Sequence, residues 1–302
     1  MNRAFKTPAI ILITALAVFS CKQKAPEEII PETTFSTYEA DSLEPEAISV
    51  KREIFYGLLT PVEITQIFNR LDRAYNTDML NPVENADNYL SASKAALNLG
   101  IYGVDMSYLK MFDMNTEMIK YMMTIRKISS KLNIPSEYLT EPLEQIENNM
   151  ADTDSVLSLA NSAYTRIDEH LAQDGRESTA GLMVLGGWIE ALYISTTLLL
   201  DVDNPDPEVV QRIAEQKYTL NTLLSFLKNY YDDPVVVYYT KKLKFLKKYF
   251  DDFDIYFKKD DLEIDRNRQV LRATGSDMTI TRETLQNIKD YARSLREETV
   301  SL

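Results

Sequence analysis

Residues 236–257 read VVYYTKKLKFLKKYFDDFDIYF, and within them Val236, Tyr239, Leu243, Leu246, Phe250, Phe253 and Phe257 recur three and four apart. That spacing lays one apolar stripe along a helix for about three heptads, with lysines and tyrosines around the rest. A stripe of this kind is either a core helix of a bundle or a coiled-coil seam for a second chain, and the bundle helix is the preferred reading.

The same period extends outward in both directions. Val210, Ile213, Leu220, Leu224, Leu227 and Tyr231 mark a helix that ends before Pro234. Val156, Leu159, Ala163, Ile167 and Leu171 mark another before Gly175, and Met118, Met122, Ile125, Ile128 and Leu132 a third before Pro135. Thr60-Pro61-Val62-Glu63 is a capping box with proline at the first helical position, followed by the stripe Ile64, Ile67, Phe68, Leu71 and Tyr75. Asn81-Pro82-Val83-Glu84 repeats that kind of start. Near the end, Thr281 is a cap, Ile280 and Leu285 a staple, and Ile288, Ala292 and Leu295 continue the face. Ile264 to Met278 is the least regular stretch and is expected to wrap the surface. No run of period-two alternation stands out, connections are short, and no 34-residue repeat signature appears. The expectation is all-α: an antiparallel helical bundle or short α-α array of about nine to ten helices over residues 46–302.

Five of the eight glycines fall in two apolar segments, 91–108 (SASKAALNLGIYGVDMSY) and 178–193 (STAGLMVLGGWIEALY). A helical glycine costs ~1 kcal/mol against alanine, so Gly100, Gly103, Gly181, Gly186 and Gly187 are expected where central helices touch. At an offset of 85 residues the segments share Ser93/Ser178, Ala95/Ala180, Leu97/Leu182 and Tyr108/Tyr193, and place Asp105 opposite Glu190. This leaves open two related halves, 46–150 and 151–302.

Asp105 and Glu190 each have apolar neighbours around most of the helix. A buried carboxylate is costly unless paired, hydrogen-bonded or protonated. One reading makes them satisfied core acids, bonded to Arg126, Arg166 or a tyrosine hydroxyl. A second puts them in a small-ligand cleft walled by Tyr102, Tyr108, Trp188 and Tyr193, where split pKa values would permit acid–base work. In a third they face solvent.

Composition removes several function classes. The 33 basic and 46 acidic residues give a net charge of −13, which argues against nucleic acid as a partner. One cysteine and one histidine exclude a disulfide framework and Cys/His zinc clusters. His170 has Ile167 three residues before it, so the Glu-x-x-His pair of a di-metal bundle is lacking. The run DVDNPDPE, 201–208, lacks the turn glycine of a calcium loop and reads as an acidic connection, with Pro207 opening the next helix. No phosphate loop, serine elbow or metalloprotease motif occurs. No catalytic residue, cofactor or metal is expected, and the preferred reading is non-enzymatic.

The N-terminus is an address. Arg3 and Lys6 precede the short apolar run Ala9–Phe19, and Ser20-Cys21 is followed at once by Lys22-Gln23-Lys24. Residues 1–20 resemble a bacterial lipoprotein signal peptide, which implies cleavage before Cys21 and lipid on its thiol. Loss of residues 1–20 leaves 31 basic against 46 acidic residues, a charge of −15. Residues 21–45 are then an anchor and an acidic, proline-bearing tether. Lys22 is not the aspartate of inner-membrane retention, so the resemblance implies the outer membrane. The pair Glu27-Glu28 loosely resembles the surface-export signals of Bacteroidota lipoproteins. With LNLGIYGVDMSY (97–108) and LGGWIEALYIS (185–195), nearly the whole chain resembles all-helical lipoproteins of Bacteroidota to which no activity is assigned.

The preferred function is an envelope interaction module that meets a protein or cell-surface component, in addition to the membrane held by its anchor. Its candidate face is Lys241, Lys244, Phe245, Lys248 and Tyr249, within a cluster where lysines interleave with aromatics. The rival is the small-ligand binder, or an enzyme, with its cleft near Asp105 and Glu190.

Overall fold

Ser91 opens the first long helix, its hydroxyl accepting the Lys94 N–H at 3.2 Å, and α1 runs Ala92–Met111. The structure is a computed structural model and describes Leu71 and residues 74–148, 153–257, 262–265, 270–273 and 276–301. The signal segment, Cys21, the tether and the capping box at Thr60 with Ile64, Ile67 and Phe68 lie outside the described residues.

After α1 come α2 (Asn115–Lys131), α3 (Glu137–Asn148), α4 (Thr153–Gln173) and α5 (Glu177–Ile194), the last continued by a π-helical turn Ser195–Leu199. Then come α6 (Pro207–Leu227), α7 (Pro234–Asp251) and α8 (Arg282–Val300). Their starts obey the sequence signals. Pro207 and Pro234 sit at first helical positions, where the missing N–H costs nothing, behind the caps Asp206 and Asp233. The Thr281 hydroxyl accepts the Thr284 N–H at 3.1 Å. Gly175, with φ 66°, turns the chain after α4. The fold is an all-α helical array, and residues from 71 onward belong to one compact unit.

Sequential helices pair as α1 with α2, α3 with α4, α6 with α7 and α7 with α8, while α1 and α5 make the most extensive contact. That central pair departs from the antiparallel expectation. Helix α8 runs against both of them: going up α1 and on to the turn after α5, Lys94 meets Ser301 and Asn98 meets Thr299, while Glu190 meets Arg296 and Leu200 meets Lys289, so α1 and α5 run in the same sense. Three helices intervene, and so no hairpin forces them antiparallel. Helix α5 with its π turn is long and apolar enough to cross a membrane, yet 83 % of that span is buried in the protein, as a core helix requires.

Three local expectations are corrected. The stripe opened at Val236 does not stay helical to Phe257: α7 stops at Asp251, and Ile255–Phe257 is strand β1. The described residues of 264–278 are strand rather than irregular chain. Strands β2 (Leu262–Asp265) and β3 (Val270–Ala273) pair antiparallel, with Leu262 opposite Ala273, and β4 (Ser276–Met278) pairs with β1, Ile255 opposite Met278. These strands are three or four residues long, too short for alternation to stand out. Finally, Asn81 caps no α-helix. Pro82 is the N-cap of a 3-10 segment, Val83–Asn88, without a side-chain cap bond, and Asn81 itself is buried.

Candidate functional site

Helices α1 and α5 meet on glycine. A Cβ on Gly100 would stand 2.0 Å from the Met183 carbonyl oxygen, and one on Gly186 would stand 1.9 Å from that of Leu97. Only bare backbone permits this approach. Gly187 faces Gly100 at ordinary contact distance, whereas Gly181 lies against the Tyr230 ring and Gly103 meets nothing within 4 Å. Gly103 therefore marks no helix contact, while Gly181 meets side chains, the rings of Tyr230 and of Phe226 on α6, and not bare backbone.

One turn or so beyond the crossing, the two acids come together. Asp105 and Glu190 both have 0 % exposure, and their carboxyls lie within hydrogen-bonding reach of each other. Arg296, on α8, meets Glu190 with both edges of its fork: Nε to Oε2 at 3.0 Å and Nη2 to Oε1 at 3.2 Å. Nη2 also donates to the Met79 carbonyl at 3.0 Å, and the guanidinium carbon lies 4.9 Å from the centre of the Tyr193 ring. Asp105 Oδ2 accepts the Asn81 N–H at 3.1 Å. The expected partners are corrected here: Arg126 is exposed, and Arg166 pairs with Glu141 at 3.2 Å. Burial pushes the Asp105 carboxyl well above the usual carboxylate range, and the Glu190 charge adds to the effect. Burial also raises Glu190, with Arg296 opposing it.

Around this pair lies a buried polar network centred on Asn81. Its Nδ2 donates to the Tyr89 hydroxyl and to Asn98 Oδ1, both at 3.0 Å. Asn98 Nδ2 reaches the Thr299 carbonyl at 3.3 Å, and the Tyr89 hydroxyl reaches that of Val300 at 3.1 Å. The Tyr121 hydroxyl donates to the Asn81 carbonyl at 2.9 Å, and Tyr102 to that of Pro82 at 2.7 Å. The segment 79–89 is thereby tied to the last turn of α8 through α1.

The six residues expected to line a cleft therefore sit in the core. Tyr102, Asp105, Tyr108, Trp188 and Glu190 are within 2 % of full burial and Tyr193 reaches 9 %, so none of them opens to solvent as a wall of a ligand cleft must. Tyr108 is held by the Asn76 N–H at 3.0 Å, and Trp188 Nε1 finds no acceptor among the described residues. Sequence reasoning missed Arg296, Asn81 and Asn98. Arg296 left a trace: it falls four residues after Ala292, on the apolar stripe of α8, where a cation needs a buried counter-ion.

The second region is the outer face of α7. Tyr238, Lys241, Phe245 and Lys248 succeed one another at three- and four-residue spacing, with Lys244 beside them, and Phe245 and Tyr238 are 45 % and 46 % exposed. Five lysines looked alike in sequence, and the structure separates them. Lys242 pairs with Glu298 at 2.9 Å, a carboxylate that also accepts the Tyr238 hydroxyl, and Lys247 pairs with Asp251. Lys241, Lys244 and Lys248 have no acidic partner among the described residues. Lys248 lies over the Phe245 ring and Lys244 over that of Tyr231, 5.2 and 5.8 Å from the ring centres. Phe245 stacks on Tyr291 of α8 with centres 5.2 Å apart, and Tyr249 meets both rings edge-on. His170 is half-buried, its Nε2 3.2 Å from the Asn133 carbonyl. No group of three potential metal-binding side chains occurs among the described residues.

The chain matches no protein-family model, no curated protein and no solved structure, so both regions are read from their own geometry.

Proposed function

We propose that this protein is a non-enzymatic interaction module of the cell envelope, held at the outer membrane by lipid on Cys21, that docks an acidic surface of another envelope protein on the outer face of α7. The observation that carries the docking face is the exposed trio Lys241, Lys244 and Lys248, unpaired among the described residues and interleaved with aromatic rings, in a chain of net charge −13. At physiological salt a charge is felt over about 8 Å, so local sign decides where an acidic partner settles. Asp232, Asp251 and Asp252, all exposed, bound the basic stretch at either end and limit it to the middle of the helix. Tyr238 and Phe245 supply contact area, and the lysines supply orientation and encounter rate. The anchor is supported by the basic start, the short apolar run and the single cysteine placed directly after it. A charged, proline-bearing linker gives such a module reach.

Two experiments test the reading. Labelled palmitate should enter the parent and not a Cys21→Ser chain, which should leave the membrane fraction; identical fractionation defeats the anchor. A photo-crosslinking residue at position 245, introduced in intact cells, should give a discrete protein adduct that disappears on reversal of Lys241, Lys244 and Lys248 to glutamate. Adducts to lipid alone, or adducts unchanged by the reversal, defeat the protein-docking face.

A further inference from the structure

The core supplies one guanidinium to two carboxyls, and the hydrogen bonds it makes go to Glu190 and the Met79 carbonyl rather than to Asp105. Arg296 directs Nε to Glu190, and Nη2 to Glu190 and the Met79 carbonyl. Asp105 receives a single donor, the Asn81 N–H on Oδ2, and its Oδ1 is buried with no hydrogen bond. The two hydroxyls that feel its charge are engaged elsewhere, Tyr102 of α1 with the Pro82 carbonyl and Tyr121 of α2 with that of Asn81, and the Tyr89 hydroxyl nearby is bonded to Asn81 and Val300. From α5 comes Glu190, and from α8 comes Arg296, with Arg293 and Glu297 beyond it acting on Tyr193. Two buried carboxyls within hydrogen-bond reach are both acceptors, and so repel, unless one of them carries a proton. Glu190, gripped by the fork of Arg296, is the one favoured as the anion.

We propose that Asp105 keeps its proton in the folded protein and donates it to Glu190, so that the core closes over one proton and one guanidinium, and that loss of this proton to solvent unlatches the C-terminal helix α8 from the segment 79–81. With the proton in place, the carboxylic acid, the carboxylate and the guanidinium sum to zero, and Arg296 is left able to hold Met79. Without it, two anions compete for Arg296 in a medium of low dielectric. The contact at risk is the one from Nη2 to Met79, which joins α8 to the chain entering α1.

The sign of the resulting pH dependence is fixed. Burial and Glu190 hold the Asp105 carboxyl far above its unfolded value. Between those two values the folded chain binds one proton more than the unfolded chain, so stability falls as pH rises. Asparagine matches the protonated acid in shape, offers Glu190 an N–H donor, keeps an acceptor for Asn81 and does not titrate. The full-length Asp105→Asn chain should therefore melt with the parent near pH 4 and above it at higher pH. The gap should widen by roughly 2–3 °C per pH unit until Asp105 itself titrates. Trp188, the sole tryptophan and two residues from Glu190, should report loosening in the parent at high pH and not in the variant. A gap constant from pH 4 to 9, or a variant less stable throughout, overturns the proposal. The parent alone gives a second readout: a protonated-carboxyl C=O stretch in the infrared in deuterated buffer at neutral pH. Its absence overturns the proposal even if the variant does not fold.

Discussion

Gly186 and Gly103 lie on the two central helices in opposite surroundings, and alanine separates their roles. At Gly186 a Cβ has no place short of moving α1 from α5, since the obstacle is the backbone of Leu97. Gly186→Ala should cost about 3 kcal/mol or more, whereas Gly103→Ala, entering open space, should gain up to ~1 kcal/mol from helix propensity. Urea titrations monitored by far-ultraviolet circular dichroism will distinguish them, and equal effects would refute the crossing. Arg296 carries the largest electrostatic consequence. Arg296→Met leaves Glu190 buried without its counter-ion and frees the Met79 carbonyl, for an expected loss of about 3–5 kcal/mol in the same titration. A loss below about 1 kcal/mol would show that the pair is not closed from water. The acids were legible from their apolar neighbours. Their partner was not, because Arg296 lies 106 residues from Glu190 and no local pattern joins positions that far apart.

At the scale of elements, α7 and α8 show how far periodicity reaches. Proline behind an aspartate cap starts α7, because Pro234 has the helical φ and lacks only an N–H that the first turn does not use. Its end was not legible: Phe253 and Phe257 continue the three-four spacing, yet the chain leaves the helix at Asp251. Phe253 is buried beyond the helix end, with Lys217 donating to its carbonyl at 2.6 Å, and the Asp254 N–H is taken by the Thr279 hydroxyl at 2.9 Å. Those bonds turn β1 toward β4. Helix α8 depends on its cap, and Thr281→Ala should destabilise the protein by about 1 kcal/mol. Hydrogen exchange should quicken first in residues 282–285. Uniform protection across the helix would count against the cap.

For the molecule as a whole, the two glycine segments stand 85 residues apart in sequence and face each other across the central contact. Whatever their origin, 46–150 and 151–302 are not physically separable halves among the described residues, because α1 packs on α5 and the last turn of α8 holds residues 79–89. Unfolding should accordingly be one transition, with Trp188 emission and far-ultraviolet dichroism coinciding in urea. Two separated midpoints would restore independent halves.

Helical class, the cap at Thr281, the helix start at Pro207 and the apolar stripe of α2 came from the sequence by itself, because each depends on residues within four positions of one another. The tertiary structure decided the parallel sense of α1 and α5, the burial of Asn81, the union of Asp105, Glu190 and Arg296, and which lysines of α7 are neutralised. Each of these depends on which remote group arrives beside a side chain, and in a folded chain that is set by the packing of whole helices.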